Sequence, residues 1–166
     1  MRAYSLTAPM EEDLGTREGT ELTFRLGAAL ATKLVGVLRC RRHYFLAKRG
    51  GSVHAVDMFF SHSNLDQAHA DALGDRIVQL GSQPDLSPAA IGSGTYVAFK
   101  ERTGEVADMA AEDLEATQAT QVAFTDLLRF VGNGDASTKR LLQSILGADR
   151  IRGLQLSTLI KSLRKG

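Results

Sequence analysis

The chain of 166 residues carries a single cysteine, three prolines and no tryptophan. Cys40 has no partner for an intramolecular disulfide, which excludes a disulfide framework and fits a reducing compartment; a cytoplasmic location is the expectation. An excess of one charge sign is also missing, since 20 Lys and Arg face 19 Asp and Glu, leaving a formal +1. No net field therefore draws the protein to nucleic acid or to an anionic membrane, and only a local patch could do so. Long hydrophobic runs are absent too. The most apolar stretch, Leu26 to Leu38, is interrupted by Lys33 and is well short of the roughly 20 residues a membrane-spanning helix needs. The N-terminal stretch lacks the features of a secretory signal, and Glu11, Glu12 and Asp13 disfavour a transit peptide, so residues 1–19 read as a loose arm. Glycine-rich phosphate loops, nucleophile elbows and paired-cysteine metal motifs are not found.

With 43% hydrophobic and 23% charged residues, what remains has the composition of one ordinary globular domain. Pro9, Pro84 and Pro88 leave two long proline-free blocks, 10–83 and 89–166. Each is interrupted near its middle by a glycine-rich turn followed by an N-cap residue: Gly50-Gly51 before Ser52, and Gly132-Asn133-Gly134 before Asp135. Apolar residues recur at three-and-four spacing, as in Leu26, Leu30, Leu34, Val37 and Tyr44, and no comparable strict alternation occurs. The pattern predicts helices over 20–49, 53–82, 105–131 and 136–163. Short turns make each pair an antiparallel hairpin, and residues 83–104 are long enough to cross the length of a bundle. The expected fold is all-α: a four-helix bundle over 20–166, built from two hairpins joined by a long crossover.

Polar residues fall where this rhythm demands core residues. In the last helix the stripe reads Leu142, Ile145, Asp149, Arg152, Leu156, Leu159, Leu163. In the second it reads Phe59, Asp66, His69, Leu73, Ile77, Leu80. Each pair, Asp66-x-x-His69 and Asp149-x-x-Arg152, lies one helical turn apart on one face. A carboxylate followed three residues later by histidine, repeated in two hairpins, is the inward ligand pattern of di-iron bundles.

On these residues the sequence resembles the ferritin-like superfamily, bacterioferritin most of all. His43-Tyr44-Phe45-Leu46 is similar to that family's Gln-Tyr-Phe-Leu, and Asp66-Gln67-Ala68-His69-Ala70-Asp71 to its Glu-Met-Lys-His-Ala-Asp. Arg76-Ile77-Val78-Gln79-Leu80-Gly81 and Pro84-Asp85-Leu86 continue the match. The resemblance implies an iron-binding and iron-storage lineage, and a di-iron ferroxidase centre at Val37, Asp66, His69, Thr117, Asp149 and Arg152. Val37, Thr117 and Arg152 are not iron ligands, so the implied centre is degenerate and ferroxidase activity is expected to be weak or lost. Only Asp66, His69 and Asp149 remain for iron or another divalent metal at low occupancy.

Two carboxylates against one guanidinium nearly cancel, which predicts an internal Asp66/His69/Asp149/Arg152 network in place of the metal. His62, one turn before Asp66, extends the stripe to a potential third ligand, Glu112 and Asp113 are candidates for displaced carboxylates, and Tyr44 matches a family tyrosine near the centre. Gln67 stands where the family's haem-binding methionine would be, so no haem is expected. The partner expected is a second copy of the chain, in a dimer or small shell, or an active ferritin subunit.

Two alternatives use other features. Asp71-x-x-x-Asp75 before Leu80-Gly81 is similar to a DNA-protecting mini-ferritin of the Dps type. Arg39, Arg41, Arg42, Lys48, Arg49, Lys161, Arg164 and Lys165 are the residues that DNA binding would use. The other alternative is a non-catalytic helical scaffold. Cys40, flanked by Arg39, Arg41 and Arg42, is either activated by them or buried and inert.

Overall fold

The computed structural model describes residues 8–101 and 104–165, with side chains from residue 16 onward. Five helices occur among the described residues: α1 (Ala8–Ala47), α2 (Val53–Gln79), α3 (Pro88–Gly94), α4 (Val106–Val131) and α5 (Ala136–Leu163). α1 packs chiefly against α2 and α4 against α5, giving the two antiparallel hairpins and long crossover expected from the sequence. α1 begins at Ala8, so the part of the expected arm from residue 8 to 19 is helical, and the rest of that arm lies outside the described residues.

Local chemistry sets the helix ends. The Ser52 side chain accepts from the Ala55 N–H, and Asp135 from the Thr138 N–H, capping α2 and α5. α2 stops at Gln79 because Gly81 adopts φ +82°, and the N–H groups of Gly81 and Ser82 donate back to the carbonyls of Val78 and Ile77. The short α3 inside the crossover was not evident from composition. It forms because Ser87 caps the helix and Pro88 opens it with a preset φ. Just beyond α3, the backbone N–H of Tyr96 donates to Thr32 Oγ1 at 2.8 Å, pinning the crossover to α1.

The apolar core is split in two. One cluster gathers Leu26 and Leu30 of α1, Leu73 and Ile77 of α2, Phe124 and Leu127 of α4, and Leu142 and Ile145 of α5. The other gathers Ala47, Phe59, Met109, Leu156 and Leu159. α1 and α5 therefore run from the first cluster to the second, and α2 and α4 run the opposite way. Between the clusters lies a layer of buried charge.

Candidate functional site

Seven charged side chains are buried among the described residues: Lys33, Arg39 and Arg152 against Asp66, Glu112, Asp113 and Asp149. Burying any one of them alone would cost several kcal/mol, so their arrangement must be mutual. Lys33 Nζ, from α1, donates to Asp149 Oδ1 and Oδ2 at 2.8 and 2.7 Å and to Asp66 Oδ1 at 3.2 Å. Arg152 Nη1 donates to Asp66 Oδ2 at 2.9 Å, and its Nη2 to the carbonyl of His62 at 2.8 Å. Two fixed cations thus meet two carboxylates, and this part of the layer sums to zero. Burial acts to raise the Asp66 pKa, but Arg152 and Lys33 outweigh it and hold the carboxyl below its usual range. Burial would lower the Arg152 pKa, yet Asp66 leads the groups that raise it, so the guanidinium stays charged.

α1 makes room for this arrangement at Gly36. A Cβ there would collide with Asp66 Oδ2 and lie 3.1 Å from Asp66 Cγ. The glycine, a costly residue inside a helix, is what lets the carboxylate lie against the α1 backbone.

One ligand atom each from Asp66, His69 and Asp149 lie within 4.8 Å of one another, the grouping a metal would use. His69 Nδ1 has no hydrogen-bond partner, and burial, followed by the Lys33 charge, lowers its pKa to about 4. The imidazole is therefore neutral at pH 7 and stands beside the salt bridges rather than within them. The cation on these carboxylates is the Lys33 ammonium. Sequence reasoning placed Val37 at this α1 position; the structure corrects this by one helical turn. The Val37 carbonyl accepts from Ser63 Oγ at 3.4 Å, while the long Lys33 side chain reaches the centre. The signal was there, as the one charge interrupting the most apolar stretch of the sequence.

Other expected residues lie elsewhere. Thr117 is buried, but its hydroxyl donates to the Asp113 carbonyl of its own helix. His62 Nε2 faces Gln155 Oε1 at 3.0 Å, and the metal-capable grouping does not include it. Burial, then the Arg152 charge, lowers its pKa. Tyr44 packs against Phe45 and Phe60, and its hydroxyl accepts from Lys48 Nζ at 3.3 Å. Gln67 is exposed and donates to Asp71, and Asp71 and Asp75 are themselves exposed.

Asp113 does not reach the Asp66/Asp149 pair. It belongs to a second buried group, accepting from Arg39 Nε at 2.9 Å and lying 3.1 Å from His43 Nδ1. Burial raises its pKa, and His43 and Arg39 more than reverse this. Arg39 is therefore a buried partner and leaves the surface patch to which the sequence assigned it. Cys40 Sγ lies 3.7 Å from Asp113 Oδ2. Burial, then the Asp113 charge, pushes the thiol well above its ordinary pKa, so the neighbouring arginines do not activate it.

A ferritin-like domain model matches residues 48–165, and the chain belongs to that family. No curated protein matches the sequence. Among solved structures, the fold is similar to a dodecameric thioferritin, the bacterioferritin-related protein of Bacteroides fragilis, at TM-score 0.83 and 17% identity, covering 89% of this chain and 88% of that one. It is also similar to a point mutant of Mycobacterium smegmatis Dps1, at TM-score 0.79 and 16% identity, covering 87% of this chain and 97% of that one.

The residues present do not fit the di-iron group that the resemblance implies. Two ferrous ions bring four positive charges, and the centre offers two carboxylates that already share Lys33 and Arg152. A metal at Asp66, His69 and Asp149 would have to displace an ammonium held at 2.7 and 2.8 Å.

Proposed function

We propose that this is a ferritin-like protein of iron-storage lineage whose di-iron centre has been replaced by the salt bridges of Lys33, Asp66, Arg152 and Asp149, and that it neither oxidises iron efficiently nor holds it at the bundle centre. The observation that carries this reading is Lys33 Nζ within hydrogen-bonding distance of both carboxylates. Fixed cations on the protein neutralise the carboxylates as metal ions would, and they cannot change oxidation state. The bundle then acts as a structural element, assembling with further copies of itself or with an active ferritin subunit. Supporting this are Phe24, Leu38 and Phe45, which stand on α1 at multiples of seven residues with 73%, 58% and 64% of their surface exposed. No helix of the described residues is long and apolar enough to cross a membrane. The unpaired, buried Cys40 is in keeping with the cytoplasm.

The test is elemental analysis after incubation with ferrous iron in air, followed by size exclusion. The expected result is near-zero iron per chain on an oligomer. Two or more irons per chain on a shell-sized species would sink the reading, since iron chemistry would then persist despite Lys33 and Arg152.

A further inference from the structure

The chain has two asparagines, Asn64 and Asn133, and their surroundings differ in what decides the fate of a side-chain amide. Asn64 lies inside α2 and is followed by Leu65, whose N–H belongs to the hydrogen-bond ladder of the helix. Asn133 is followed by Gly134, and both are exposed in the turn between α4 and α5. The Gly134 N–H donates no hydrogen bond among the described residues. Glycine also brings no Cβ to shield that nitrogen. Across the turn, Lys139 Nζ of α5 donates to Asn133 Oδ1 at 2.7 Å. An ammonium at this distance draws charge from the amide carbon, and it stands where negative charge develops when a nucleophile adds to that carbon.

We propose that Asn133 is a self-modification site: the Gly134 backbone nitrogen attacks Asn133 Cγ, and Lys139 stabilises the oxygen that becomes negative. The step forms a bond from the Gly134 nitrogen to Cγ and breaks the bond from Cγ to the side-chain nitrogen. That nitrogen leaves as ammonia with the Gly134 N–H proton, and a five-membered succinimide remains. Water then opens the ring at either carbonyl, giving aspartate at this position or an isoaspartyl linkage. Water is the only co-reactant, and nothing is oxidised or reduced. Both products place a carboxylate beside Lys139 and the N-terminus of α5, where the helix dipole favours it. The isoaspartyl product also adds a methylene to the main chain two residues before Asp135. That residue caps the Thr138 N–H at 3.0 Å and accepts from Arg76 Nη2 of α2 at 2.8 Å, so the lengthened turn acts on a joint between the two hairpins. The Lys33 centre takes no part.

Full-length protein is incubated in heavy-oxygen water at neutral pH and mapped by peptide mass spectrometry at intervals. The expected result is loss of ammonia and gain of one labelled oxygen in the peptide that holds Asn133, divided between aspartyl and isoaspartyl forms, with Asn64 unchanged. Gly134→Ala should slow conversion by about tenfold or more, since its Cβ shields the attacking nitrogen. The fold accommodates that change, because the nearest atom the new methyl would meet is the Val131 carbonyl oxygen at 3.9 Å. Lys139→Ala should slow conversion by about threefold to tenfold, less than a buried oxyanion donor supplies because this turn is exposed. An unmodified Asn133, conversion of Asn64 at an equal rate, or undiminished conversion in Gly134→Ala or in Lys139→Ala would each overturn the proposal.

Discussion

The Lys33 ammonium bridges two helices from a third: its Nζ lies 2.7 Å from Asp149 Oδ2 of α5 and 3.2 Å from Asp66 Oδ1 of α2. Three helices of the bundle are thus tied at one point in the gap between the two apolar clusters.

Lys33→Ala leaves two carboxylates with too few cations in a buried layer. Breaking a buried pair by removing one partner costs about 3–5 kcal/mol, and this loss is expected in urea denaturation. The same change frees the Asp66, His69 and Asp149 ligand atoms. Zinc should therefore raise the melting temperature of the variant and leave that of the parent protein unchanged, because only a ligand that binds the native state stabilises it. A parent protein stabilised by zinc as strongly as the variant would contradict the role assigned to Lys33.

Glycine-to-alanine changes should have opposite signs at two positions. At Gly147 a Cβ meets nothing within 4 Å, and the change should stabilise by roughly 0.5–1 kcal/mol through helix propensity. At Gly36 the new methyl would drive Asp66 from its place beside Arg152 and Lys33. The propensity gain is then outweighed, and a net loss on the order of 2 kcal/mol is expected from a displaced buried charge. Chemical denaturation of the two variants side by side decides it.

Acid should destabilise the fold in two stages. The His69 pKa is lowered from 6.5 to about 4, with burial as the first cause and the Lys33 charge as the second, and that of His62 is lowered as well. Between those values the unfolded chain binds protons that the native histidines refuse, so stability falls as pH drops from about 6.5 toward 4. Asp66 and Asp113 are held below 3.8 by their cationic partners, and Asp135 is lowered to about 2, where hydrogen bonds from Thr138 and Arg76 outweigh partial burial. Their contribution is complete above the unfolded value and is lost as pH falls through the native ones. Stability measured from pH 8 to pH 3 should decline throughout the acid range, with no rise below pH 6.

The helices were legible because their signals are local. Ser52 and Asp135 cap what they were expected to cap, and the glycine-rich turns separate the hairpins where expected. The polar stripe was equally legible at Asp66, Asp149 and Arg152, since a charge at a core position stands out against leucine and isoleucine. His69 was expected within the ion network and lies beside it, a difference that depends on which atoms point where.

What the sequence determined by itself is the bundle, its two-hairpin order and the presence of charge at its centre, all of which follow from periodicity and capping within each helix. Only the tertiary structure decided which charges meet. Lys33 and Val37 lie one turn apart on α1, and periodicity favours the apolar residue as the inward one. The reach of the lysine chain, the space left by Gly36 and the meeting of α1, α2 and α5 place the ammonium on both carboxylates. The same holds for Arg39, which looks like surface charge in a basic run and is instead buried on Asp113 of α4. Pairing across helices depends on distances between residues far apart in the chain, and no local pattern encodes them.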